Sequence, residues 1–194
     1  MKTLKISAVL LLLTVSFAFA QSTWKFDKAH SRVGFSVSYL VITDVEGNFE
    51  EFEGTITSKG DDFQDATIEF TAEISSINTE NEKRDSHLQS DDFFNAENFP
   101  QLMFKSKSFK KMDDKNYKLV GDLTMRDVTK EVELDVVYNG MVNDPWGNTK
   151  AGFSLKGEVN RFDYNLKWNK TVEAGGLVVS EEVTILANLT LVKQ

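Results

Sequence analysis

From Trp24 onward, apolar residues recur at every second position, and this period of two constrains the fold more than any other feature of the 194 residues. Val33, Phe35, Val37 and Tyr39 alternate with Arg32, Ser36 and Ser38, and Ala66, Ile68, Phe70, Ala72 and Ile74 alternate with Thr67, Glu69, Thr71 and Glu73. Val132, Leu134, Val136 and Tyr138 alternate with Glu131, Glu133 and Asp135. Phe104, Leu123, Phe153 and Leu155 continue the pattern, as do Val183, Ile185 and Leu189. Successive side chains of a strand point to opposite faces, so this alternation predicts strands with one face in a core and one in water. Turn chemistry separates the runs at Glu46-Gly47-Asn48, Lys59-Gly60-Asp61-Asp62, Lys111–Asn116, Asn139-Gly140, Asp144-Pro145-Trp146-Gly147-Asn148 and Gly175-Gly176. About eight such strands in regular succession predict an all-β sandwich or barrel. Closure into an eight-stranded antiparallel barrel removes unprotected edges. Its interior is then either filled or wide enough for one small ligand.

One stretch breaks the period. Residues 78–98 are polar apart from Leu88, Phe93, Phe94 and Ala96. Asn78 or Thr79 is expected to cap a short helix to about Leu88, with Glu82 at the capping-box distance from Thr79, and a second turn is expected near Asp92–Glu97 before Pro100.

Residues 1–20 carry Lys2 and Lys5, then an apolar run from Ile6 to Ala20 ending in Ala18-Phe19-Ala20. That pattern predicts a secretory signal peptide cleaved near Ala20/Gln21, and hence a periplasmic or secreted protein. The run, about 15 residues, is short of the roughly 20 that a spanning helix needs, so no transmembrane segment is expected. One domain is expected over residues 21–194, with 20 basic and 30 acidic residues and a net charge of −10. Such an acidic chain is a poor partner for nucleic acid or an anionic membrane, both of which select for lysine and arginine stripes.

Polar chemistry is sparse. There is no cysteine, which removes disulfides, thiol catalysis and cysteine-ligated metal together. The two histidines, His30 and His87, have no metal-ligand spacing and read as hydrogen-bonded structural or surface residues. No nucleophile-elbow pattern accompanies Ser31 and His30, so no catalytic residues, metal or cofactor are expected. Asp61-Asp62 and Asp113-Asp114 read as solvated turns, and Lys105, Lys107, Lys110 and Lys111 read as edge-strand protection before a phosphate site. The excess lies in phenylalanine, with 15 residues, mostly on the inward face. They suit a packed core and an aromatic-lined cavity equally well.

A resemblance favours the cavity. Trp24-x-x-Asp27-x-x-His30-Ser31-x-Val33-x-Phe35-x-Val37 and Val45-x-Gly47-x-Phe49-x-x-Phe52-x-Gly54 resemble the N-terminal signature of the YceI-like proteins. His87-Leu88-x-Ser90-x-Asp92-Phe93-Phe94, Gly121-x-Leu123-Thr124-x-Arg126-x-Val128-Thr129-Lys130 and Arg161-x-Asp163-Tyr164-x-Leu166-x-Trp168-Asn169 resemble its later motifs. Tyr39 stands where many members carry a histidine, and Asp127 and Asn165 stand where glycine is common.

The resemblance implies a lipocalin-like barrel with one or two short helices that binds a polyisoprenoid, an isoprenoid quinone or a fatty-acid derivative. A prenyl tail of about 40 carbons at roughly 0.3 kcal/mol per heavy atom would contribute on the order of 12 kcal/mol. The expected ligand-binding residues are Phe35, Val37, Tyr39, Phe70, Phe104, Leu123, Phe153 and Trp168. A homodimer is compatible with these features. The alternatives are an enzyme of lipid metabolism using His30 or Arg161 at the barrel mouth, and an interaction protein with a filled barrel.

Overall fold

A computed structural model describes residues 21–171 and 177–194; the expected signal peptide and Gly175-Gly176 lie outside them. The strands are β1 (Ser22–Phe26), β2 (Arg32–Tyr39), β3 (Thr43–Phe49), β4 (Phe52–Ser58), β5 (Thr67–Glu73) and β6 (Ile77–Asn78), followed by helix α1 (Glu82–Gln89). Then come β7 (Gln101–Lys111), β8 (Asn116–Met125), β9 (Val128–Asn143), β10 (Thr149–Asn160) and β11 (Val179–Lys193). Hydrogen bonding runs β1-β4-β5-β7-β8-β9-β10-β11 and back from β11 to β1, which closes an eight-stranded antiparallel barrel.

Closure is achieved by a bent strand. The first part of β11 pairs with β2, and its last residues pair with β1. Between them the chain makes a short 3-10 turn, Lys28–His30. The ladder groups of Thr190 facing that gap are satisfied by side chain and backbone together. Its carbonyl accepts from Asp27 N–H and from the Ser31 hydroxyl, and its own N–H donates back to Ser31 Oγ at 3.0 Å. Ser31 thus replaces the backbone partner that the bend removes, as a buried ladder group requires.

The alternation sets the inside. In β8, Tyr117, Leu119, Gly121, Leu123 and Met125 are buried while the residues alternating with them are not, and Val132, Leu134 and Val136 do the same in β9. Glycine makes room where inward rings crowd. A Cβ on Gly47 would stand 2.5 Å from Phe35 Cζ, so the aromatic fits only because that position has no side chain. Outward charges pair across strands: Lys105 with Glu69, Lys107 with Asp122 and Glu131, Lys118 with Glu133 and Asp135. Strand β7 is hydrogen-bonded on both sides, to β5 and β8. The β5 ladder covers only Gln101–Lys105, so Lys105 is not on an edge, and cross-strand carboxylates engage Lys105 and Lys107.

Three local expectations need correction. Glu46-Gly47-Asn48 lies inside β3, and the hairpin turn falls earlier, at Leu40-Val41-Ile42. Asn139-Gly140 lies inside β9, at a bulge opposite Gly152 and Phe153. The cap of helix α1 falls two residues beyond Thr79, the later of the two expected caps. Asn81 is the residue that accepts from Arg84 N–H, while buried Thr79 is engaged by Asp85 and Arg84. Asp113 does make a turn, accepting from the N–H groups of Lys115 and Asn116.

One end of the barrel is closed by aromatics. Phe63 folds in from the β4–β5 loop and meets Trp24 at 4.9 Å, Phe153 at 5.0 Å and Tyr138 at 5.9 Å between ring centroids. Trp24 Nε1 donates to Ser58 Oγ at 3.2 Å, so its polar edge is satisfied although the residue is fully buried.

Candidate functional site: an apolar cavity under an aromatic roof

Above that floor the interior is open. Inward residues of β2 and β3 (Val33, Phe35, Val37, Phe49) face those of β5 and β7 (Ile68, Phe70, Leu102, Phe104) and of β8 to β11 around a cavity. About 1290 Å³ of space lies between these walls, solvent at the mouth included, and about 190 Å³ of it is open to the centre of a water molecule. That smaller figure is below the roughly 300–1,000 Å³ of common small-molecule sites.

The helix and the segment after it form the roof. Leu88, Phe93 and Phe94 reach down into the cavity from α1 and the turn that follows. His87, Phe93 and Trp168 pack as a trio, with centroids 5.0 to 5.4 Å apart, and His87 Nε2 lies 2.8 Å from Asp92 Oδ2. The roof is fastened by Arg126 in the β8–β9 turn. Its guanidinium donates to the carbonyls of Asp91, Phe93 and Asn165 and pairs with the Asp91 carboxylate at 2.8 Å. Asn165 adopts φ 63°, a left-handed conformation that asparagine tolerates.

Arg161, in a 3-10 turn after β10, is the polar residue of the cavity wall among the described residues. It is 4% exposed. Its Nε donates to Ser180 O, Nη1 to Leu166 O and Trp168 O, and Nη2 to Val179 O, at 2.6 to 3.2 Å. Burial holds its pKa below the ordinary arginine value, with Glu181 opposing that shift. Its donors tie two carbonyls of the β10–β11 connection to two at the start of β11.

The structure brings Phe35, Val37, Phe70, Phe104 and Leu123 together around the cavity. Phe153 also points inward, but it belongs to the aromatic floor. Tyr39 lies at the exposed end of β2, and Trp168, half-buried, packs against His87 and Phe93 of the roof and is not among the cavity-lining residues. The roof residues Leu88, Phe93 and Phe94 were legible only as the apolar positions of an otherwise polar segment. His30 sits outside the cavity at the β1–β2 bend, 3.0 Å from the Asp27 carboxylate.

A barrel with this cavity and roof has known relatives. The profile of the YceI-like domain matches residues 24–191. The chain belongs to the YceI-like family. A YceI-like relative, a UPF0312 protein of Staphylococcus aureus (strain N315), is 36% identical over 170 residues, covering 86% of this chain and 95% of that one. The crystal structure of the Campylobacter jejuni YceI protein is 33% identical with a TM-score of 0.70, covering 87% of this chain and 96% of that one. A polyisoprenoid-binding domain from Saccharophagus degradans shares the fold at 15% identity with a TM-score of 0.61, covering 88% and 98% of the two chains.

Proposed function

We propose that this YceI-like barrel is an exported binding or carrier protein for a long apolar amphiphile: a polyisoprenoid, an isoprenoid quinone or a fatty-acid derivative. The observation that carries the reading is the chemistry of the cavity wall. Apart from Arg161, four of whose five N–H donors are taken by backbone carbonyls, each described lining residue is apolar or glycine. A wall of that kind binds a hydrocarbon tail by area and offers a polar head nothing within the tunnel, so the head belongs at the mouth. Aromatic rings supply much of this area with few rotamers to freeze. The name of the Saccharophagus domain supports the same ligand class. The amino-terminal pattern of residues 1–20 supports export.

A cavity of this kind disfavours the filled-barrel alternative. For the catalytic alternative, His30 lies outside the cavity and four of the five Arg161 N–H donors are taken by carbonyls, so among the described residues neither forms an acid–base pair there. The test is a competition titration in which geranylgeraniol displaces a fluorescent fatty acid from the chain beginning at Gln21. Saturable displacement at about one site per chain supports the proposal. Failure of both the fluorescent fatty acid and the alcohol to bind would overturn it.

A further inference from the structure

The turn joining β2 to β3 combines two features that soluble proteins ordinarily avoid. Its central residues, Leu40 and Val41, both have left-handed backbones, with φ 53° and 62°, and Ile42 N–H closes the turn on Tyr39 O at 3.2 Å. Turns with two positive φ values favour Asn-Gly, and a β-branched residue such as valine is strongly disfavoured there. Val41 is 81% and the following Ile42 80% accessible, with Tyr39 at 39% and Leu40 half-buried between Tyr39 and Val41. An aliphatic apex held in an unfavourable conformation and directed to water has no role in the core.

Its position is specific. Tyr39 is paired with Val179, and Leu40 N–H donates to Val178 O at 2.9 Å. Val179 and Val37, two residues before Tyr39, are both in the tunnel wall. The apex is thus a continuation of the wall at the roofed end, on the side of Arg161 and the start of β11. Three side chains of this kind expose on the order of 300 Å², the size of a functional patch on a monomer. A stable protein–protein interface buries about 800 Å² per partner, which this tip does not offer. A finger of a few apolar residues with an aromatic at its base is of the size that enters a lipid interface.

Charge narrows the surface further. Asp44 and Glu46 on β3 are exposed on the same hairpin, and Glu181 and Glu182 share a shallow depression with Val41. Among the described residues near the tip, Lys170 opposes them, its carbonyl accepting from Val178 N–H. This acidic surround repels an anionic headgroup layer and tolerates a zwitterionic one.

We propose that Tyr39–Ile42 is a membrane-docking finger that inserts into a zwitterionic bilayer and sets the tunnel mouth against it. The proposal stands on the tip itself and does not depend on the identity of the cargo. Its test is flotation of the chain beginning at Gln21, which contains every described element, with phosphatidylcholine vesicles. The wild-type chain should float with the vesicles, with little change on raising salt, and less well as phosphatidylglycerol is added. Leu40→Asn combined with Val41→Gly installs the turn chemistry that the backbone prefers. It should lower the partition by about tenfold or more with unfolding temperature unchanged or raised, so loss of binding cannot be laid to misfolding. Trp146→Ser, at another exposed apolar hairpin, should float like the wild type. Geranylgeraniol added from solution should still displace the fluorescent fatty acid in the tip variant, which separates docking from tunnel binding. Absence of flotation by the wild type, equal flotation by the tip variant, or a tip variant altered only in oligomeric state would each overturn the proposal.

Discussion

The rings of Phe63 and Phe153 meet edge to face, 5.0 Å apart, and with Trp24 and Tyr138 they floor the tunnel. Phe63 comes from a loop and is 1% exposed, so it carries the packing of the floor without belonging to any strand. Phe63→Ala should cost about 3–5 kcal/mol, the usual loss for a large buried ring. Urea unfolding checks this, and a loss below about 1 kcal/mol would mean that the floor does not depend on that ring.

Arg161 should be irreplaceable even by lysine. Its planar fork reaches four carbonyls, two in the β10–β11 connection and two at the start of β11, and lysine has three donors on a single atom. Val179 O keeps its bond from Asn169 Nδ2, but a single lysine ammonium cannot span the carbonyls of Leu166, Trp168 and Ser180, so Arg161→Lys should cost about 1–3 kcal/mol. Equal stability of wild type and variant in denaturant unfolding would show that the charge alone matters.

Tyr164 invites the opposite experiment. It is 1% exposed, and its hydroxyl has no hydrogen-bond partner among the described residues. Burial pushes its pKa up to about 12. Tyr164→Phe removes an uncompensated polar group at nearly constant shape, so stability should be unchanged or rise by up to about 1 kcal/mol. A clear loss would reveal a partner for the hydroxyl.

Asp27 ties the β1–β2 bend to β10. Its carboxylate accepts from Lys150 Nζ at 2.8 Å and is 3.0 Å from His30 Nδ1. The hydrogen bond from Lys150 is the main cause that holds its pKa below the ordinary carboxylate value; partial burial opposes it, and His30 adds to the lowering. A carboxylate with a depressed folded-state pKa stabilises the fold above its unfolded value, near 3.8, and loses that contribution as pH falls through the folded one. Asp27→Asn should therefore flatten the acid side of the stability–pH curve below about pH 4. Asp113 and Asp144, held low by hydrogen bonds from Asn116 and Asn148 first, should keep part of that slope. Superimposable acid limbs for variant and wild type would refute the linkage.

The period of two was enough to assign inward and outward faces, because the pleat ties each residue's direction to its parity. Val37, Phe70, Phe104 and Leu123 came out on the cavity for that reason. Parity says nothing about height along the barrel axis, which depends on strand stagger. Phe153 therefore read as lining although it lies in the floor. Phe63 was illegible because it precedes its strand and reaches the floor through a loop with φ 57°. The Leu40-Val41 turn was missed because its residues look like strand, whereas Gly47 looked like a turn and in fact clears space for the Phe35 ring.

The central claim is that the cavity carries an apolar ligand. Native mass spectrometry of the protein purified from its own host tests it most directly. The account predicts a non-covalent adduct, one per chain, that extracts into organic solvent as a prenyl or fatty amphiphile and is lost in Phe35→Asp, which places an unpaired charge on the tunnel wall. A bare protein mass, together with no uptake of prenyl lipids or fatty acids when these are supplied, would contradict it.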